Sequence, residues 1–399
     1  MRILFVVPYI PSLVRVRSYN LIRSLAALGH RIHLVALQPP EDRSSPIEPL
    51  HAFCERIDVF PLTRVRTLLN AALALPARLP LQAAYSHHPQ AERHVRALAA
   101  TGGYDALHVE HLRGVVLAEQ ANGLPRVFDS VDSIAYLFDQ TRRMAPRLSQ
   151  RLMAAFDLGR TRHFEARAPF RYDHVVVTSP VDLQAIQHLA GGDSAQRMSI
   201  LPNGVDLDYF RPNSARPDAA TVLFSGKLSY HANVAAALYL GREIMPRVWQ
   251  HRPDTRLLLV GKNPAPALLE LGADPRVTLT GYVDDLRPYF AHATLAASPL
   301  RYGAGVQNKV LEAMASGVPV VATPRVVDSL QAEPERDLLV SEDAPQLARH
   351  VLSLIERPDR RRAIGSAGRR YVERCHDWLP IGARLSEIYR RAASDKSGA

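Results

Sequence analysis

The sequence predicts an α/β protein made of two doubly wound domains that face a cleft. Short apolar runs typical of buried strands alternate with helical patterns, and this alternation starts again after residue 200. The chain has 399 residues, of which 47% are apolar, enough for two domains of ordinary size. We therefore predict a first domain at 1–200, a second at 201–378, and a final helix with its tail at 379–399.

The predicted strands of the first half are short and apolar, and most run into polar or proline-containing loops. They are Arg2–Val7, Arg31–Ala36, Ala106–Val109, Arg126–Phe128, Val175–Thr178 and Ser199–Leu201. Apolar residues at helical spacing predict helices over Arg15–Leu28 and Arg147–Arg167. The stretch Arg64–Ala84 combines arginines and leucines with two prolines. It fits either a basic amphipathic surface helix or a buried helix followed by a turn.

The second half repeats the pattern. Its predicted strands are Val222–Phe224, Arg256–Val260, Val277–Thr280, Leu295–Ser298 and Val320–Thr323. A helix is predicted over Asn233–Trp249, and a last helix runs from about Trp378 to Arg391. The tail Ser394–Ala399 is expected to be disordered.

The stretch Pro299–Thr323 predicts a phosphate site. Gly303 and Gly305 form a flexible loop, and the apolar spacing from Val306 onward predicts a helix that Gly317 ends. A glycine loop that leads into a helix N-terminus is suited to bind phosphate through backbone N–H groups. The alternative is a surface helix with an ordinary Glu/Lys pair.

Three polar residues share one face of this helix, since Asn308 and Lys309 lie four and three positions before Glu312. Lys309 can contact a phosphate, and Glu312 can accept hydrogen bonds from a sugar diol. The chain has only four lysines, and both Lys227 and Lys262 directly follow a glycine that ends an apolar run. In a chain so rich in arginine, lysines at these turns indicate compact point charges.

The segment LEAMASGVPVVAT at 311–323 resembles the donor site of the retaining GT-B glycosyltransferases of family 4 (group 1), and the branch with QNK before it is associated with exopolysaccharides. The run LPNGVD at 201–206 resembles the interdomain segment of that family, and Gly281-Tyr282-Val283 resembles the wall around the nucleotide base. The resemblance implies the GT-B fold, with two Rossmann-like domains and a C-terminal helix that crosses back to the first. Where typical members carry a first glutamate, this sequence has Ala304.

The resemblance implies a set of donor-binding residues. They are Gly226, Lys227, Tyr282, Val283, Gly305, Val306, Asn308, Lys309 and Glu312. The candidates for catalysis are Lys309, Glu312 and Asp132. Asp132, or Asp129 if the alignment shifts, stands where family members place a histidine, and its alternative role is to cap the following helix.

Four residues of the first half are acceptor-side candidates. Glu110 and His111 directly follow a predicted strand, where ligands of open parallel sheets bind. Arg15 and Arg17 either contact an acidic or phosphorylated acceptor or cap a solvated helix.

These features predict a retaining transfer of sugar from a nucleotide-diphosphate sugar to a lipid-linked or growing glycan in bacterial surface polysaccharide synthesis. No cofactor or metal is expected, because no Asp-x-Asp pair stands at a strand end and lysines can stabilise the leaving diphosphate. The alternatives are a nucleotide-sugar epimerase of the same fold and a non-catalytic sugar-nucleotide-binding protein.

Charge and hydropathy predict a cytoplasmic protein that binds peripherally to the membrane. Net charge is +10, and there are no RNA-binding aromatic motifs or zinc-finger spacings, so an anionic membrane is favoured over nucleic acid. We expect no signal peptide and no spanning segment. Two distant cysteines indicate a reducing compartment. The basic residues of the first half are Arg15, Arg17, Arg64, Arg66, Arg78, Arg142, Arg143, Arg147, Arg151, Arg160 and Arg162.

Overall fold

A computed structural model describes residues 1–42, 45–145, 147–212, 220–303 and 305–397 of the chain. It contains two compact units. Unit 1 comprises Met1–Asp139, Leu152–Asn203 and Trp378–Ala399, and unit 2 comprises Gln140–Arg151 and Gly204–Asp377. The division after Asn203 lies within the LPNGVD run. Unlike the predicted boundaries, it also groups the segment 140–151 with unit 2.

Unit 1 is built on seven parallel strands in the order β3-β2-β1-β4-β5-β6-β7. The strands are β1 (Arg2–Val7), β2 (Arg31–Gln38), β3 (Arg56–Pro61), β4 (Ala106–Glu110), β5 (Arg126–Val131), β6 (His174–Val177) and β7 (Met198–Ile200). The helices are α1 (Val16–Ala27), α2 (Arg64–Leu73), α3 (Leu81–Tyr85), α4 (Pro89–Ala100), α5 (Val115–Ala118), α6 (Ile134–Met144), α7 (Leu148–Arg171) and α8 (Pro180–Ala190). The strand order reverses between β1 and β4, which is where open α/β sheets bind ligands.

Unit 2 is built on six parallel strands in the order β10-β9-β8-β11-β12-β13. The strands are β8 (Thr221–Ser225), β9 (Arg256–Val260), β10 (Val277–Leu279), β11 (Leu295–Ser298), β12 (Val320–Ala322) and β13 (Leu339–Val340). The helices are α9 (His231–Tyr239), α10 (Met245–His251), α11 (Pro266–Leu271), α12 (Arg287–His292), α13 (Asn308–Ala315), α14 (Pro324–Leu330), α15 (Ala344–Glu356) and α16 (Pro358–Cys375). The order reverses between β8 and β11.

The last helix, α17 (Trp378–Ser397), belongs to unit 1 and packs along α1. Alternate residues of β1 point to opposite faces of the sheet, so Phe5 joins the core on the α17 side and Leu4 the core on the other side. Leu385 and Tyr389 of α17 are four residues apart and fully buried in the first of these cores. The predicted two-domain fold with a returning C-terminal helix is confirmed.

Three predictions about local structure differ from the structure in whole or in part. The helix predicted from Val306 begins at Asn308. The tail predicted to be disordered continues α17 as far as Ser397, and Lys396 donates a hydrogen bond of 2.6 Å to the carbonyl of Leu124. The helix predicted over Asn233–Trp249 consists of α9 and α10 joined by a π-helical turn.

The structure decides between the two interpretations of the stretch Arg64–Ala84. Helix α2 exposes its leucines, with Leu68 and Leu73 exposed by 68% and 78%, so the buried helix is wrong. Arg64 and Arg66 of α2 are exposed as well. The stretch forms a surface helix that presents both apolar and basic side chains to solvent.

Within the described residues, none of the helices combines the length and the apolar character that crossing a membrane requires.

Candidate active site

Two glycine turns hold the carboxyl ends of β8 and β9 together in unit 2. Gly226 follows β8 with φ +139°, and Gly261 follows β9 with φ +156°. A methyl group at Gly261 would lie 1.8 Å from the carbonyl oxygen of Gly226, so only glycine fits there. The close approach of these turns forms a tight backbone platform beside the point where the strand order reverses.

Lys309, in the first turn of α13, reaches this platform. Its Nζ donates a hydrogen bond of 2.5 Å to Oδ1 of Asn233 and lies 4.3 Å from the ring centroid of Phe224. Asn233 in turn donates from Nδ2 to the carbonyl of Lys227 at 3.1 Å. A methyl group at Gly226 would lie 3.1 Å from Lys309 Nζ. The glycine turn therefore leaves room for the ammonium group at the edge of the sheet.

Lys309 and Glu312 form the charged face of α13, and each keeps part of its surface exposed. Burial lowers the pKa of Lys309 to about 7, against the opposing effect of the negative charge of Glu312. Burial likewise raises the pKa of Glu312 to about 7, and Lys309 opposes that shift. Because an anion beside Lys309 would favour its charged form, this face of α13 is suited to bind phosphate.

The other donor-side candidates differ in exposure. Gly305 and Val306 are buried directly before α13, and Asn308 is the half-buried first residue of the helix. Ala304 lies outside the described residues. The remaining candidates keep their side chains wholly or partly at the surface: Lys227, Tyr282 and Val283. Their roles in donor binding stay predictions.

Arg17 of unit 1 is buried in an ion pair. Its Nε and Nη2 both lie 2.8 Å from Oδ2 of Asp129, and its Nη1 donates to Oδ1 of Asn203 at 2.8 Å. The side chains of Arg17 and Asp129 are 6% and 0% exposed. The interpretation of Arg17 as the cap of a solvated helix is therefore wrong, because the guanidinium group compensates a buried carboxylate. Asp129, the alternative to Asp132, is therefore used in an ion pair inside unit 1.

Glu110, the last residue of β4, is completely buried beside this pair. It accepts a hydrogen bond from the hydroxyl of Tyr9, and it pairs in register with Asp129. Burial and the neighbouring charge of Asp129 raise the pKa of Glu110 to about 8. Glu110 is therefore mostly protonated at neutral pH, and a protonated carboxyl group can donate a hydrogen bond.

The other acceptor-side candidates, Arg15 and His111, are half-buried. The guanidinium of Arg15 lies 4.7 Å from the ring centroid of Tyr9 and 3.7 Å from a carboxylate oxygen of Asp42. His111 adopts a left-handed φ of 64°, and its Nδ1 accepts a hydrogen bond of 3.1 Å from the N–H of Arg113. Burial lowers the pKa of His111 to about 3, so the ring is neutral.

Asp132 does not cap the helix that follows it. The hydroxyl of Ser133 accepts the hydrogen bond from the N–H of Tyr136 in α6, so the helix-cap interpretation of Asp132 is wrong. Oδ1 of Asp132 accepts a hydrogen bond of 3.1 Å from the hydroxyl of Thr178. Burial and then the charge of Asp182 raise the pKa of Asp132 to about 7. Its side chain remains half-buried, and its charge changes near neutral pH.

Two family models together match most of the chain. The model described as "Glycosyltransferase Family 4" matches residues 14–209, and the model described as "Glycosyl transferases group 1" matches residues 219–357. The chain belongs to the group 1, family 4 glycosyltransferases. The family assignment made from the LEAMASGVPVVAT segment is confirmed.

A curated relative of this glycosyltransferase is the GDP-mannose-dependent monoacylated alpha-(1-6)-phosphatidylinositol monomannoside mannosyltransferase of Corynebacterium glutamicum. The two are 32% identical over 208 residues, which cover 47% of this chain and 55% of the relative. The match therefore spans about half the length of each protein.

Solved structures share the fold at lower identity. Sucrose-phosphate synthase from Thermosynechococcus elongatus is 20% identical, with a TM-score of 0.69 over 99% of this chain and 100% of that one. The HepE protein of Anabaena, in complex with UDP and glucose, is 17% identical, with a TM-score of 0.68 over 98% and 100%. At these identities, the similarity supports the GT-B fold of this glycosyltransferase.

Sequence reasoning missed three residues that build the sites of this glycosyltransferase. The sequence marks Asn233 only as the start of a predicted helix, yet its side chain binds Lys309. Tyr9 and Asn203 contact Glu110 and Arg17 from positions 101 and 186 residues away. The LPNGVD run, which contains Asn203, indicated only an interdomain segment.

Proposed function

We propose that this glycosyltransferase transfers a sugar, with retention of anomeric configuration, from a nucleotide-diphosphate sugar to a lipid-linked or growing glycan. The process would be bacterial surface or exopolysaccharide synthesis. The observation that carries the proposal is the position of Lys309, whose ammonium group is held between Asn233 and the Gly226 turn at the carboxyl edge of the sheet.

The donor half of the reaction needs positive charge where the nucleotide diphosphate leaves. Lys309 supplies a point charge, and the exposed Lys227 lies at the neighbouring turn. The N-terminus of α13 adds the partial positive charge of the helix dipole. Glu312, one turn further along the same face, is placed to accept hydrogen bonds from the hydroxyls of the sugar. Together these groups can stabilise the leaving group without a metal ion.

A retaining transfer needs positioning more than a strong base, because the leaving phosphate can itself take the proton of the attacking hydroxyl. Asp132 has a pKa of about 7 and a half-buried carboxyl group. We assign it to the reacting sugar, where its negative charge would favour a positively charged anomeric carbon. Glu110, mostly protonated, would donate a hydrogen bond rather than remove a proton.

The proteins named above support the choice of substrates. The Corynebacterium relative is named for a nucleotide-sugar donor and a phosphatidylinositol mannoside acceptor, and the Anabaena HepE structure holds UDP and glucose. A diphosphate-linked donor for this chain agrees with both proteins, and a lipid-linked acceptor agrees with the Corynebacterium relative.

A lipid-linked acceptor requires contact with the membrane, and unit 1 has a surface suited to it. We define the α2–α7 face by the exposed apolar residues of these helices and of the turn after α2: Val65, Leu68, Leu69, Leu73, Leu75, Leu152, Met153 and Phe156. Arg160 of α7 donates hydrogen bonds to the carbonyls of Leu75 and Ala77. These bonds hold α7 against the turn after α2. Exposed arginines of α2 flank these apolar residues. An apolar face with basic neighbours fits an anionic lipid surface.

Thermal unfolding with a panel of nucleotide-diphosphate sugars tests the donor assignment, because a ligand that binds only the folded protein raises its apparent stability. One or two of the sugars should raise the unfolding temperature, and the same sugars should be turned over with a glycan or lipid-linked acceptor. Binding without turnover of any acceptor would favour the non-catalytic alternative, and recovery of an epimerised donor would favour the epimerase.

Turnover should persist when the protein is assayed in a chelator such as EDTA, since cationic side chains and the N-terminus of α13 surround the expected diphosphate position. Initial rates with and without chelator are the measurement. Loss of turnover that added Mg²⁺ or Mn²⁺ restores would contradict the metal-free mechanism.

A further inference from the structure

Two histidines and an aspartate come together in unit 1, away from the residues assigned to the reaction. His33 lies in β2, Asp58 in β3 and His94 in α4. One ring nitrogen of each histidine and one carboxylate oxygen of Asp58 lie within 4.8 Å of one another. In the parallel sheet, Arg56 at the start of β3 pairs in register with His33. The cluster therefore lies toward the amino ends of the strands, whereas Glu110 is the last residue of β4.

One carboxylate oxygen joins the two imidazole rings. Oδ2 of Asp58 lies 2.8 Å from Nε2 of His33 and 2.6 Å from Nε2 of His94. Because an ionised carboxylate can only accept, both Nε2 atoms carry their proton in this arrangement. Two imidazoles and a carboxylate that converge on one point are a common ligand set for Zn²⁺ and similar ions.

We propose that His33, Asp58 and His94 form a binding site for a divalent transition-metal ion of the Zn²⁺ class, which fixes α4 to β2 and β3. Each neutral imidazole would move its proton from Nε2 to Nδ1, and Nε2 would then bind the metal through its lone pair. No proton has to leave the protein. Bonds of about 2.0–2.1 Å to a tetrahedral ion place the ligand atoms roughly 3.3 Å apart, so each Nε2 need move only slightly away from the carboxylate oxygen.

The surroundings of His33 support this change of tautomer. Its Nδ1 is hydrogen-bonded to the hydroxyl oxygen of Tyr104, which could accept the proton that Nδ1 gains. Metal-binding histidines usually donate their second N–H in this way, which fixes the ring.

The fourth coordination position would face solvent. The side chain of His33 is 1% exposed, whereas Asp58 and His94 are 18% and 29% exposed. An ion could therefore enter from the side of α4 and keep a water molecule there. Arg56 competes for the carboxylate, since its Nε lies 3.2 Å from Oδ1 of Asp58. Its side chain is 58% exposed and can turn away.

Titration of the full-length, chelator-treated protein with Zn²⁺ alone tests the proposal, and visible absorption with Co²⁺ reports the coordination geometry. The wild type should bind one ion with micromolar or tighter affinity, and Zn²⁺ should raise its unfolding temperature. His94→Gln and Asp58→Asn, at partly exposed positions, should each weaken binding at least tenfold and remove the thermal shift. Arg56→Gln should strengthen binding severalfold, because it removes the competing cation.

His87→Gln is the matched control, since His87 lies just before α4 and pairs with Glu92 at 3.1 Å outside the cluster. It should bind Zn²⁺ like the wild type, which separates this site from weak binding to the other histidines. No site of micromolar affinity in the wild type, or equal affinity in His94→Gln, Asp58→Asn and the control, would overturn the proposal. Turnover with EDTA should be unchanged in either case, because the ion has no part in the transfer.

Discussion

The two units differ in how a positive charge is compensated near the point where the strand order of each sheet reverses. In unit 1, the guanidinium of Arg17 is paired with the carboxylate of Asp129 inside the protein. In unit 2, the ammonium of Lys309 is held by the neutral amide of Asn233, and its nearest charged neighbour on α13, Glu312, has a pKa raised to about 7. A charge compensated within the fold serves stability. A charge held by a neutral acceptor remains able to bind an anionic ligand. The comparison predicts that Arg17 contributes to stability and Lys309 to function.

The largest expected effect is on the stability of unit 1. Arg17→Ala should lower the free energy of unfolding by about 3–5 kcal/mol, because it leaves the carboxylate of Asp129 buried without its partner. Urea unfolding measures the loss. Arg162→Ala is the matched control, because Arg162 pairs with Asp139 at 3.2 Å but is 48% exposed. Removing this exposed pair should cost less than about 1 kcal/mol. Equal losses in the two variants would contradict the distinction.

Lys309→Ala should instead leave the fold intact and weaken donor binding and turnover by about 2–3 kcal/mol, the size of a charge-assisted contact in a closed site. Calorimetric binding of a nucleoside diphosphate, together with initial rates, measures the effect. Lys396→Ala, at a lysine of α17 that contacts Leu124 in unit 1, is the control. If Lys309→Ala binds the diphosphate as tightly as this control does, Lys309 does not contact phosphate.

Asp132→Asn should lower turnover by about tenfold, or roughly 1.4 kcal/mol, with little change in donor affinity, because only the transition state carries the charge that the carboxylate stabilises. Since the pKa of Asp132 is about 7, its ionised fraction grows between pH 6 and pH 8. At saturating donor, where the bound diphosphate keeps Lys309 charged, wild-type turnover should therefore rise over this range, and Asp132→Asn should remove that rise. A loss of stability with normal turnover of the folded protein would assign Asp132 a structural role.

The smallest effect is expected at the α2–α7 face. Each basic residue near an anionic membrane contributes about 1 kcal/mol, an attraction that salt screens. Co-sedimentation should therefore be stronger with anionic than with neutral vesicles and should weaken at high salt. Equal binding to both vesicle types, or binding to neither, would indicate that the arginines only maintain solubility.

A single leucine tests the apolar part of that face. Leu69→Asn should weaken vesicle binding by about 1 kcal/mol, since burial of a whole leucine contributes roughly 1.5–3 kcal/mol. Leu269→Asn is the matched control, because Leu69 and Leu269 are 57% and 56% exposed and Leu269 lies in unit 2. Equal effects of the two substitutions would rule out this face as the contact surface.

A site is predictable from the sequence when its residues lie close together along the chain. It is not predictable when they lie far apart. Lys309, Glu312 and the glycines before them lie within one short segment, so their spacing alone was enough to predict a phosphate site. Arg17 and Asp129 are 112 residues apart, and only the folded sheet brings them together. The sequence therefore identified Arg17 as a candidate without revealing that its charge is used inside the fold.

The stretch Arg64–Ala84 illustrates a second limit. Leucines at helical spacing predict an apolar face, but they do not say whether protein, lipid or solvent covers it. Strand β3 was missed, since its sequence, RIDVFP, mixes charged and apolar residues and ends in proline. Its residues are half-buried or exposed at the edge of the sheet. The central strands, which are buried on both faces, were all predicted.

The return of α17 to unit 1 has a consequence for synthesis on the ribosome. Until Leu385 and Tyr389 emerge, one face of the first sheet lacks part of the side chains that cover it, while the whole of 204–377 is translated. At about 5–20 residues per second, this interval is on the order of ten seconds or more. Unit 2 can complete its fold during that time. Unit 1 remains incomplete, and its exposed apolar surface can bind chaperones or aggregate. The half that begins synthesis first is therefore the half that finishes folding last.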